Sequence, residues 1–400
     1  MATPDGMHQD ATVVMTHVAH VAKKENGEKW VNEYVRVRTS GAKEDQCKIA
    51  RGGLLGKGSY GKVCLYRNAS NGKIYAVKVL NKRLLAKIHL GGQGRGGQVC
   101  GGSSALDSVL SEIETMRRLK VHAAAATGRA GSLSCLIEVI DDPNRDKLYL
   151  VMEHAGIPFL DHFRPSPDPT DSVSLGEGQS SSCHRLGAAE CICVLQQALL
   201  ALCFLHDLGI VHGDVKPDHL LVDPECGRVT LVDLGSCTDF CLARNGHLSF
   251  DGVSKSPGTP AYTAPECCGS TAAGSIYSGR KADVWALGMA IYVAFYGAFP
   301  FRSCNAGDMY EEIRVTKEED LFPRQAQQTL DEDVLVLTDA LKQMLTRDPD
   351  RRPLPSQLLD RMMAATAECN NKDSNPTRQA HEESRSVDEI EREFARNLSK

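Results

Sequence analysis

The fold is decided by a stretch near the middle of the chain, Ile210-Val211-His212-Gly213-Asp214-Val215-Lys216-Pro217-Asp218-His219-Leu220-Leu221-Val222. A second stretch, Leu231-Val232-Asp233-Leu234-Gly235, follows soon after it. Each stretch combines an apolar run with polar side chains at its end, as short buried strands do. The sequence therefore predicts two strands that present carboxylates and a lysine at their ends.

These polar side chains suit one kind of chemistry. Asp214 could accept or orient the proton of an attacking hydroxyl, and Lys216 could neutralise charge on a phosphoryl group. Asp233 could hold Mg²⁺ against phosphate oxygens. Phosphoryl transfer depends on alignment and charge stabilisation more than on covalent help. We therefore predict Asp214 and Lys216 as catalytic residues and Asp233 as a residue that binds metal and nucleotide.

A glycine-rich segment upstream predicts a loop over phosphates. Glycine patterns of this kind also occur in dinucleotide-binding folds, where they open a helix. Here the segment leads into a strand at 63–66, an Asn71-Gly72 turn signal and a strand at 74–80, so a hairpin lid is favoured. The predicted lid residues are Leu55, Gly56, Lys57, Gly58, Ser59, Tyr60, Gly61 and Val63.

A single lysine lies on the second strand of this hairpin. Lys78 follows Ala76 and Val77, and burial of its ammonium would be costly without an anionic partner. An edge-strand lysine pointing to water is the alternative interpretation. Residues 106–120 have apolar side chains at helical spacing, and this helix offers Glu112 as the natural partner. Glu114 projects in a different direction and is the weaker candidate.

Two further charged residues have predicted structural roles. Arg352 could form a bidentate pair with Glu266, although the two lie far apart in sequence. Asp283 precedes an apolar helix and could accept N–H bonds from the backbone around Asp214. A plain helix N-cap is its alternative role.

Taken together, these features resemble the eukaryotic protein kinase family. The motifs follow one another in the order that is typical of the family: the glycine lid, the strand lysine, the helix glutamate, Asp214 with Lys216, Asp-x-Gly, an Ala-Pro-Glu at 264–266 and the late arginine. The resemblance covers about residues 34–362. It implies an α+β, bilobal fold with a small β-rich N-lobe and a larger helical C-lobe. It also implies transfer of the ATP γ-phosphoryl group to a protein hydroxyl, with Mg²⁺ as cofactor. Lys216 and the Gly258-Thr259-Pro260 segment are similar to serine/threonine rather than tyrosine kinases.

The resemblance also implies an adenine site. Backbone groups of Glu153 and Ala155 would bond the base, Met152 would lie at the back of the pocket, and apolar side chains would cover the two faces of the base. The predicted apolar residues are Val63, Ala76 and Leu221. Each of these has an ordinary core role as its alternative.

Within the family, the chain looks most like the calcium/calmodulin-dependent protein kinase kinases and related kinases upstream of AMP-activated kinases. The similarity lies in residues 78–84 with the Gly-rich insertion that follows them, and in the Asp141-Asp142-Pro143-Asn144 turn. It implies a protein substrate that is itself a downstream kinase. Calmodulin control is not supported, because the end of the chain, 386–400, mixes acidic and basic residues.

Three positions depart from the family pattern. Leu234 replaces the usual Phe and fills a similar apolar position, so we expect little effect. Gly213 replaces an Arg that pairs with a phosphorylated activation segment, which predicts weak dependence on that phosphorylation. His219 stands where the family places an Asn that binds the second metal ion, and imidazole suits Mn²⁺ better than Mg²⁺.

The His219 departure leaves a second class of function open, a pseudokinase or scaffold that signals by binding. A small-molecule kinase on the same fold is a third interpretation, less favoured because residues 258–266 resemble a peptide-docking platform.

Composition and patterning predict the domain boundaries. We expect an N-terminal flank at 1–33, an N-lobe at 34–153 with a Gly-rich insertion at about 86–105, a C-lobe at 154–366 with a loop insertion at about 155–185, and a tail at 367–400. An aromatic patch at 30–35 could anchor the flank to the N-lobe. A helix at 386–398 could pack on the core or on a partner.

The overall composition narrows the class of protein. The net charge of −5 and the scattered basic residues point to a protein partner rather than nucleic acid or membrane. Fifteen cysteines lie mostly in apolar segments without zinc-site spacing, and no leader precedes them, so we expect a reducing, cytoplasmic location. The apolar runs 192–205 and 284–299 are too short for membrane spans and predict buried helices.

Overall fold

The computed structural model describes most of the chain. The described residues are 12–24, 28–37, 53–58, 60–90, 103–125, 132–162, 186–240, 252–253, 258–268, 276–303, 305–322 and 331–372. They form two compact units: residues up to Gly156 together with Asp233–Gly235 belong to the first, and the remainder belong to the second. The predicted lobe boundary, 153/154, lies three residues before this division.

The first unit is built on strands. They are β1 Val14–Thr16, β2 Val21–Lys23, β3 Lys29–Val31, β4 Tyr34–Arg36, β5 Leu54–Lys57, β6 Gly61–Asn68, β7 Ile74–Asn81, β8 His89–Leu90, β9 Ser103–Ser104, β10 Leu136–Asp141 and β11 Lys147–Glu153. Nine of them form one sheet in the order β1-β10-β11-β7-β6-β4-β3-β2, with β5 also paired to β6. The β6–β7 hairpin and the β10–β11 pair confirm the strands predicted from the sequence.

The N-terminal segment supplies the strands at both ends of this sheet. β1 is the strand at one end of the order and pairs with β10, and residues 17–20 then lead the chain to β2 at the opposite end. Ala19 is buried and its N–H donates to Asp142 at 3.2 Å. The segment that the sequence assigned to a flank thus contributes three strands to the sheet, and the aromatic patch at 30–35 lies within it as predicted.

The two faces of the sheet carry different groups. One face, here called the inner face, holds a cluster of buried side chains: Ala19, Val31, Tyr34, Cys64, Tyr66, Tyr75, Val77, Val79, Ile140, Tyr149 and Val151. Because side chains alternate along a strand, Val63, Ala76 and Lys78 lie on the opposite face, here called the helix face. Burial of the inner cluster holds the N-terminal strands on the sheet.

Two helices complete the first unit, α1 Lys82–Lys87 and α2 Ala105–Ala125. The side chain of Asn81 caps α1 by accepting from the Leu84 N–H at 3.1 Å. In α2 the predicted apolar residues Val109, Ile113, Met116 and Leu119 are buried. Leu110, which the pattern placed on the same apolar face, is 50% exposed, because the buried stripe is narrower than the pattern suggested.

The second unit is mainly helical. Its helices are α3 Phe159–His162, α4 Ala188–Asp207, α5 Gly279–Tyr296, α6 Ala306–Val315, α7 Glu318–Leu321, α8 Glu332–Met344 and α9 Pro355–Lys372. Its short strands are β12 Ile157–Pro158, β13 Ile210–Val211, β14 Leu220–Val222, β15 Val229–Leu231, β16 Thr238–Asp239, β17 Gly252–Val253 and β18 Tyr277–Ser278. A β-rich unit with one long helix and a larger helical unit confirm the predicted fold class.

α4 and α5 form the core of this unit, and they correspond to the two apolar runs in the sequence. By length and composition alone α4 could cross a membrane, but 67% of its most apolar window is buried inside the protein. Core helices of globular domains pass the same test. The burial of Leu195, Leu199 and Leu202 supports a core role for α4.

Several sequence predictions fall outside the described residues. These are most of the Gly-rich insertion at 91–102, the loop insertion from 163 to 185 and the predicted helix at 386–398.

Candidate active site

Lys78 and Glu112 form the ion pair predicted from the sequence. Lys78 Nζ donates to both carboxylate oxygens of Glu112, at 2.7 and 2.9 Å. β7 positions the lysine between Val63 of β6 and Leu150 of β11, so its stem is covered by apolar strands. Glu112 is buried on α2, whereas Glu114 is exposed. Of the two glutamates on α2, Glu112 is therefore the one that pairs with the lysine on the helix face.

A second carboxylate lies near the same ammonium. Asp233 Oδ1 is 3.6 Å from Lys78 Nζ. Burial alone would lower the pKa of Lys78, but the charges and hydrogen bonds of Glu112 and Asp233 outweigh it and raise that pKa. Lys78 therefore stays a cation at neutral pH, as a group that binds phosphate must.

Asp233 has an unusual backbone. Its φ of 62° places it in the left-handed region, which is uncommon for residues other than glycine, although Asp is enriched among them. Its side chain is 47% exposed, so carboxylate oxygen remains accessible although the neighbouring Leu234 is buried. An accessible carboxylate is the donor that a divalent cation bound to phosphate prefers. The predicted metal role of Asp233 therefore fits its chemistry and exposure.

The glycine-rich segment forms the predicted hairpin. β5 pairs with β6, and the Gly58 N–H donates to the Gly61 carbonyl at 3.0 Å. A Cβ at Gly56 or Gly58 would meet open space, so the backbone there is accessible to a ligand. Lys57 is exposed in the hairpin, and Leu55 and Tyr60 flank its tip at least partly exposed. Ser59 lies outside the described residues.

Most of the predicted adenine residues lie in the first unit. Val63, Ala76 and Met152 share the helix face with Lys78, because Ala76 pairs with Met152 across β7 and β11. The Glu153 N–H already donates to the Cys135 carbonyl at 3.0 Å, which leaves the Glu153 carbonyl as the group to offer a base. Ala155 is buried directly after β11.

In the second unit, Asp283 holds the loop that carries Asp214. Its carboxylate accepts the N–H groups of His212 and Gly213, both at 2.9 Å. His206 Nε2 lies 2.9 Å from the same carboxylate. Ser278, not Asp283, caps α5, so the prediction that Asp283 binds this backbone is confirmed and the N-cap alternative is wrong.

Gly213 has a steric reason to be glycine. Its φ is 78°, and a Cβ there would lie 2.9 Å from the Ser236 carbonyl oxygen. Any larger side chain would be strained in this conformation. The family's arginine could therefore not be introduced here without local adjustment.

Asp214 is surrounded by donors from two segments. Lys216 Nζ donates to it at 2.7 Å, and the backbone N–H and hydroxyl of Thr259 donate at 2.9 and 2.8 Å. Lys216 also contacts the Thr259 hydroxyl at 3.2 Å. Gly258 makes this approach possible, because a Cβ there would lie 2.6 Å from an Asp214 oxygen. Sequence reasoning did not predict the role of Thr259, which follows only from this long-range contact.

These donors fix the charge of Asp214. Burial alone would raise its pKa, but the hydrogen bonds of Lys216 and Thr259 and the charge of Lys216 bring that pKa below its usual value. The carboxylate is thus ionised at neutral pH. It can orient a hydroxyl and accept its proton once a substrate replaces part of this network.

His219 is held by the same loop. It follows Lys216 in a short 3-10 helix, is buried, and its Nδ1 lies 2.9 Å from the Asp214 carbonyl oxygen. A carbonyl only accepts, so Nδ1 carries the proton. A cation would therefore meet an imidazole nitrogen where the family offers an amide oxygen, which is a poor match for Mg²⁺. Leu221 follows on β14, paired with Thr230.

The predicted pair of Arg352 and Glu266 is present and bidentate. The two guanidinium nitrogens donate to the two carboxylate oxygens at 2.7 and 3.0 Å. Arg352 also donates to the carbonyls of Thr346 and Lys281, and it lies over the Trp285 ring at 5.1 Å. This network fixes the segment after Thr259 to the late helices of the second unit.

Comparisons with known proteins agree with this geometry. Residues 49–363 match the protein kinase domain family. The chain is 35% identical to the serine/threonine-protein kinase GRIK2 of Arabidopsis thaliana over 72% of this chain and 57% of that protein. It is 32% identical to GRIK1 of the same plant, over 82% of this chain and 65% of that protein.

A calcium/calmodulin-dependent protein kinase kinase of Caenorhabditis elegans is 31% identical over 74% of this chain and 49% of that protein. The chain therefore spans less than two thirds of the length of these relatives. The domain match covers more than half of the chain and includes Lys78, Glu112, Asp214 and Asp233. The chain belongs to the protein kinase domain family.

Proposed function

We propose that this chain is a serine/threonine protein kinase that transfers the γ-phosphoryl group of ATP to a protein hydroxyl. The observation that carries the proposal is the environment of Asp214. Its carboxylate is ionised and accepts hydrogen bonds from Lys216 and Thr259, and its loop is held by hydrogen bonds to Asp283. The buried pair of Lys78 and Glu112 supports it, because a cation kept at such cost suits an anionic ligand.

The reaction assigns a role to each group. The acceptor oxygen forms a bond to the γ-phosphorus as the bond to the β,γ-bridging oxygen breaks, and ADP leaves with those electrons. Asp214 orients the acceptor hydroxyl and takes its proton. Lys216 stabilises charge on the transferred group, while Lys78, oriented by Glu112, binds nucleotide phosphate oxygens. A divalent cation, when bound, neutralises phosphate charge, and Asp233 would hold it.

The metal preference follows from His219. Its protonated Nδ1 contacts the Asp214 carbonyl, so only its other ring nitrogen could face a cation. Nitrogen donors suit Mn²⁺ better than Mg²⁺. We therefore propose that Mg²⁺ supports turnover less well than Mn²⁺ does.

We further propose that the protein substrate is itself a kinase. This proposal is supported by the likeness to the nematode kinase kinase and by the Asp141-Asp142-Pro143-Asn144 turn. A peptide copied from a kinase activation loop is therefore the first acceptor to try.

The function is tested by phosphoryl transfer from labelled ATP to that peptide, with Mg²⁺ and then Mn²⁺. Lys78→Met and Asp233→Ala should each lower the rate by about 100-fold or more, because they remove charges that act on phosphate. Lys73→Met alters an exposed lysine in the β6–β7 turn and is the matched control. No transfer and no nucleotide binding with either metal would refute the kinase proposal and leave a binding role.

A further inference from the structure

Five basic side chains gather on the inner face of the sheet. We call them the basic cluster: Lys23, Lys29, Arg36, Lys62 and Lys147. Four of them lie two residues along their strand from a member of the inner face, as Lys29 does from Val31 and Arg36 from Tyr34, and Lys23 pairs with Lys29. Alternation along a strand therefore turns all five toward the same side.

Strand register brings three of these charges close together. Lys23 of β2 lies directly opposite Lys29 of β3. Val31 pairs with Tyr34 and Trp30 pairs with Val35. The next pair in this register is Lys29 with Arg36 of β4. β6 supplies Lys62 opposite Val79, and Lys147 begins β11 beside Asn81. Three cations thus lie in one row across adjacent strands, and Lys62 and Lys147 lie on the same face, where Lys57 of β5 is opposite Lys62.

This arrangement is unfavourable without a counter-charge. Like charges directly opposite one another in a sheet destabilise it. The pKa of Lys29 is lowered by partial burial and then by the positive charges of Arg36, Lys62, Lys23 and Lys147. The chain as a whole is acidic, with a net charge of −5, so general basicity does not explain the cluster.

Arg36 provides an independent indication. Its Nε is buried and has no hydrogen-bond partner among the described residues. Buried donors of charged groups almost always have an acceptor. Arg36 lies between Lys29 and the buried Tyr66 and is only partly buried as a whole, so its guanidinium is suited to an anion that reaches it from solvent.

The cluster is separate from the candidate nucleotide site. Lys62 lies opposite Val79 on the inner face, whereas the next pair along the hairpin, Val63 and Lys78, lies on the helix face. An anion at the cluster and a nucleotide at Lys78 would therefore lie on opposite sides of the same sheet.

We propose that the basic cluster binds a phosphate group. Arg36 would hold two of its oxygens through the planar guanidinium, and the lysines, as point charges, would neutralise the dianion. Binding would relieve the repulsion between Lys23, Lys29 and Arg36, and would stabilise the N-terminal strands on the sheet. The phosphate could belong to a free small molecule or to a phosphorylated side chain, since both present the same group.

The test is calorimetric titration of inorganic phosphate into the full chain at constant ionic strength. Wild type is compared with Arg36→Gln, Lys29→Gln and the double variant. Each single change should weaken phosphate binding at least tenfold, which corresponds to about 1.4 kcal/mol. Lys73→Gln removes an exposed lysine of the β6–β7 turn that is not among the charges acting on Lys29, and this variant should bind as wild type does.

Thermal unfolding gives a second signature. Without phosphate, Lys29→Gln should melt at or above the wild-type temperature, because it removes repulsion. With phosphate, wild type should gain stability and the double variant should not. If both cluster variants bind phosphate as wild type does, or if wild type binds none, the proposal is refuted. Neither measurement depends on kinase activity. The phosphate-binding proposal can therefore be refuted while the proposed function stands, and the reverse is also true.

The source of the phosphate is resolved by a parallel titration with N-acetyl-O-phosphothreonine amide. Tighter binding of this compound than of inorganic phosphate, lost in Arg36→Gln, assigns the site to a phosphorylated side chain. Binding of inorganic phosphate alone assigns it to a free small molecule.

Discussion

Replacement of Arg352 by methionine should sharply destabilise the second unit. Arg352 is 0% exposed and makes a bidentate pair with Glu266. Methionine fills similar space but leaves a largely buried carboxylate without its counter-charge. Breaking a buried pair from one side costs about 3–5 kcal/mol. The carbonyls of Thr346 and Lys281 also lose a donor, so we expect about 4 kcal/mol within this range.

Urea unfolding measures this cost. Trp285 lies against Arg352 and is fully buried, so its fluorescence reports on the site. The chain has two tryptophans, and a Trp30→Phe background isolates the signal. The midpoint should fall with an unchanged slope. Arg351→Met changes the exposed neighbour and should be within about 0.5 kcal/mol of the parent.

A second substitution separates the charge from the packing. In a Glu266→Gln background no buried anion remains, so Arg352→Met should cost about 2 kcal/mol less than in the parent. A cost below about 1 kcal/mol in the parent, or the same cost in both backgrounds, would refute the reasoning from an uncompensated carboxylate.

Three substitutions and one enzymatic treatment probe the loop around Asp214. Gly213→Arg restores the family residue but should lower stability by about 1–3 kcal/mol, since φ is 78° and Ser236 O is close; a gain in melting temperature or in activity would contradict this. Thr259→Val removes a hydrogen bond that lowers the Asp214 pKa, so that pKa should rise and the acid limb of the kcat/KM profile should move to higher pH; an unmoved limb would argue against this role. His219→Asn should raise the Mg²⁺-supported rate relative to the Mn²⁺-supported rate, and an unchanged rate in Mg²⁺ would rule out the metal account. Phosphatase treatment should leave most activity, because Gly213 cannot pair with a phosphorylated segment; near-complete loss would count against weak dependence.

The sequence predicted the contacts that depend on a few residues in a known order. The pair of Lys78 with Glu112 was predicted because a buried charge requires a partner, and the pair of Arg352 with Glu266 because a guanidinium and a carboxylate can bond in a bidentate manner. Asp283 was correctly predicted to bind backbone N–H groups from its position at an apolar helix.

What escaped prediction depends on tertiary structure. Thr259 lies 45 residues from Asp214, and nothing local marks its hydroxyl as a donor to that carboxylate. No local sequence signal predicts the left-handed backbone of Asp233, since it is glycine that usually marks such a position. The strands β1 and β2 are three residues each, too short for any alternation to be recognised. Their place in the sheet is decided by β10 and by the inner cluster.

Residues 14–36 supply the strands at both ends of the sheet, which has a practical consequence for anyone who shortens the chain. A fragment that starts at residue 49, where the family match begins, would lack β1 to β4. Cys64, Tyr66 and Tyr149 would then face water, and β10 would become a bare edge that can pair with another molecule. Such a fragment should be poorly soluble although it retains every motif of the family.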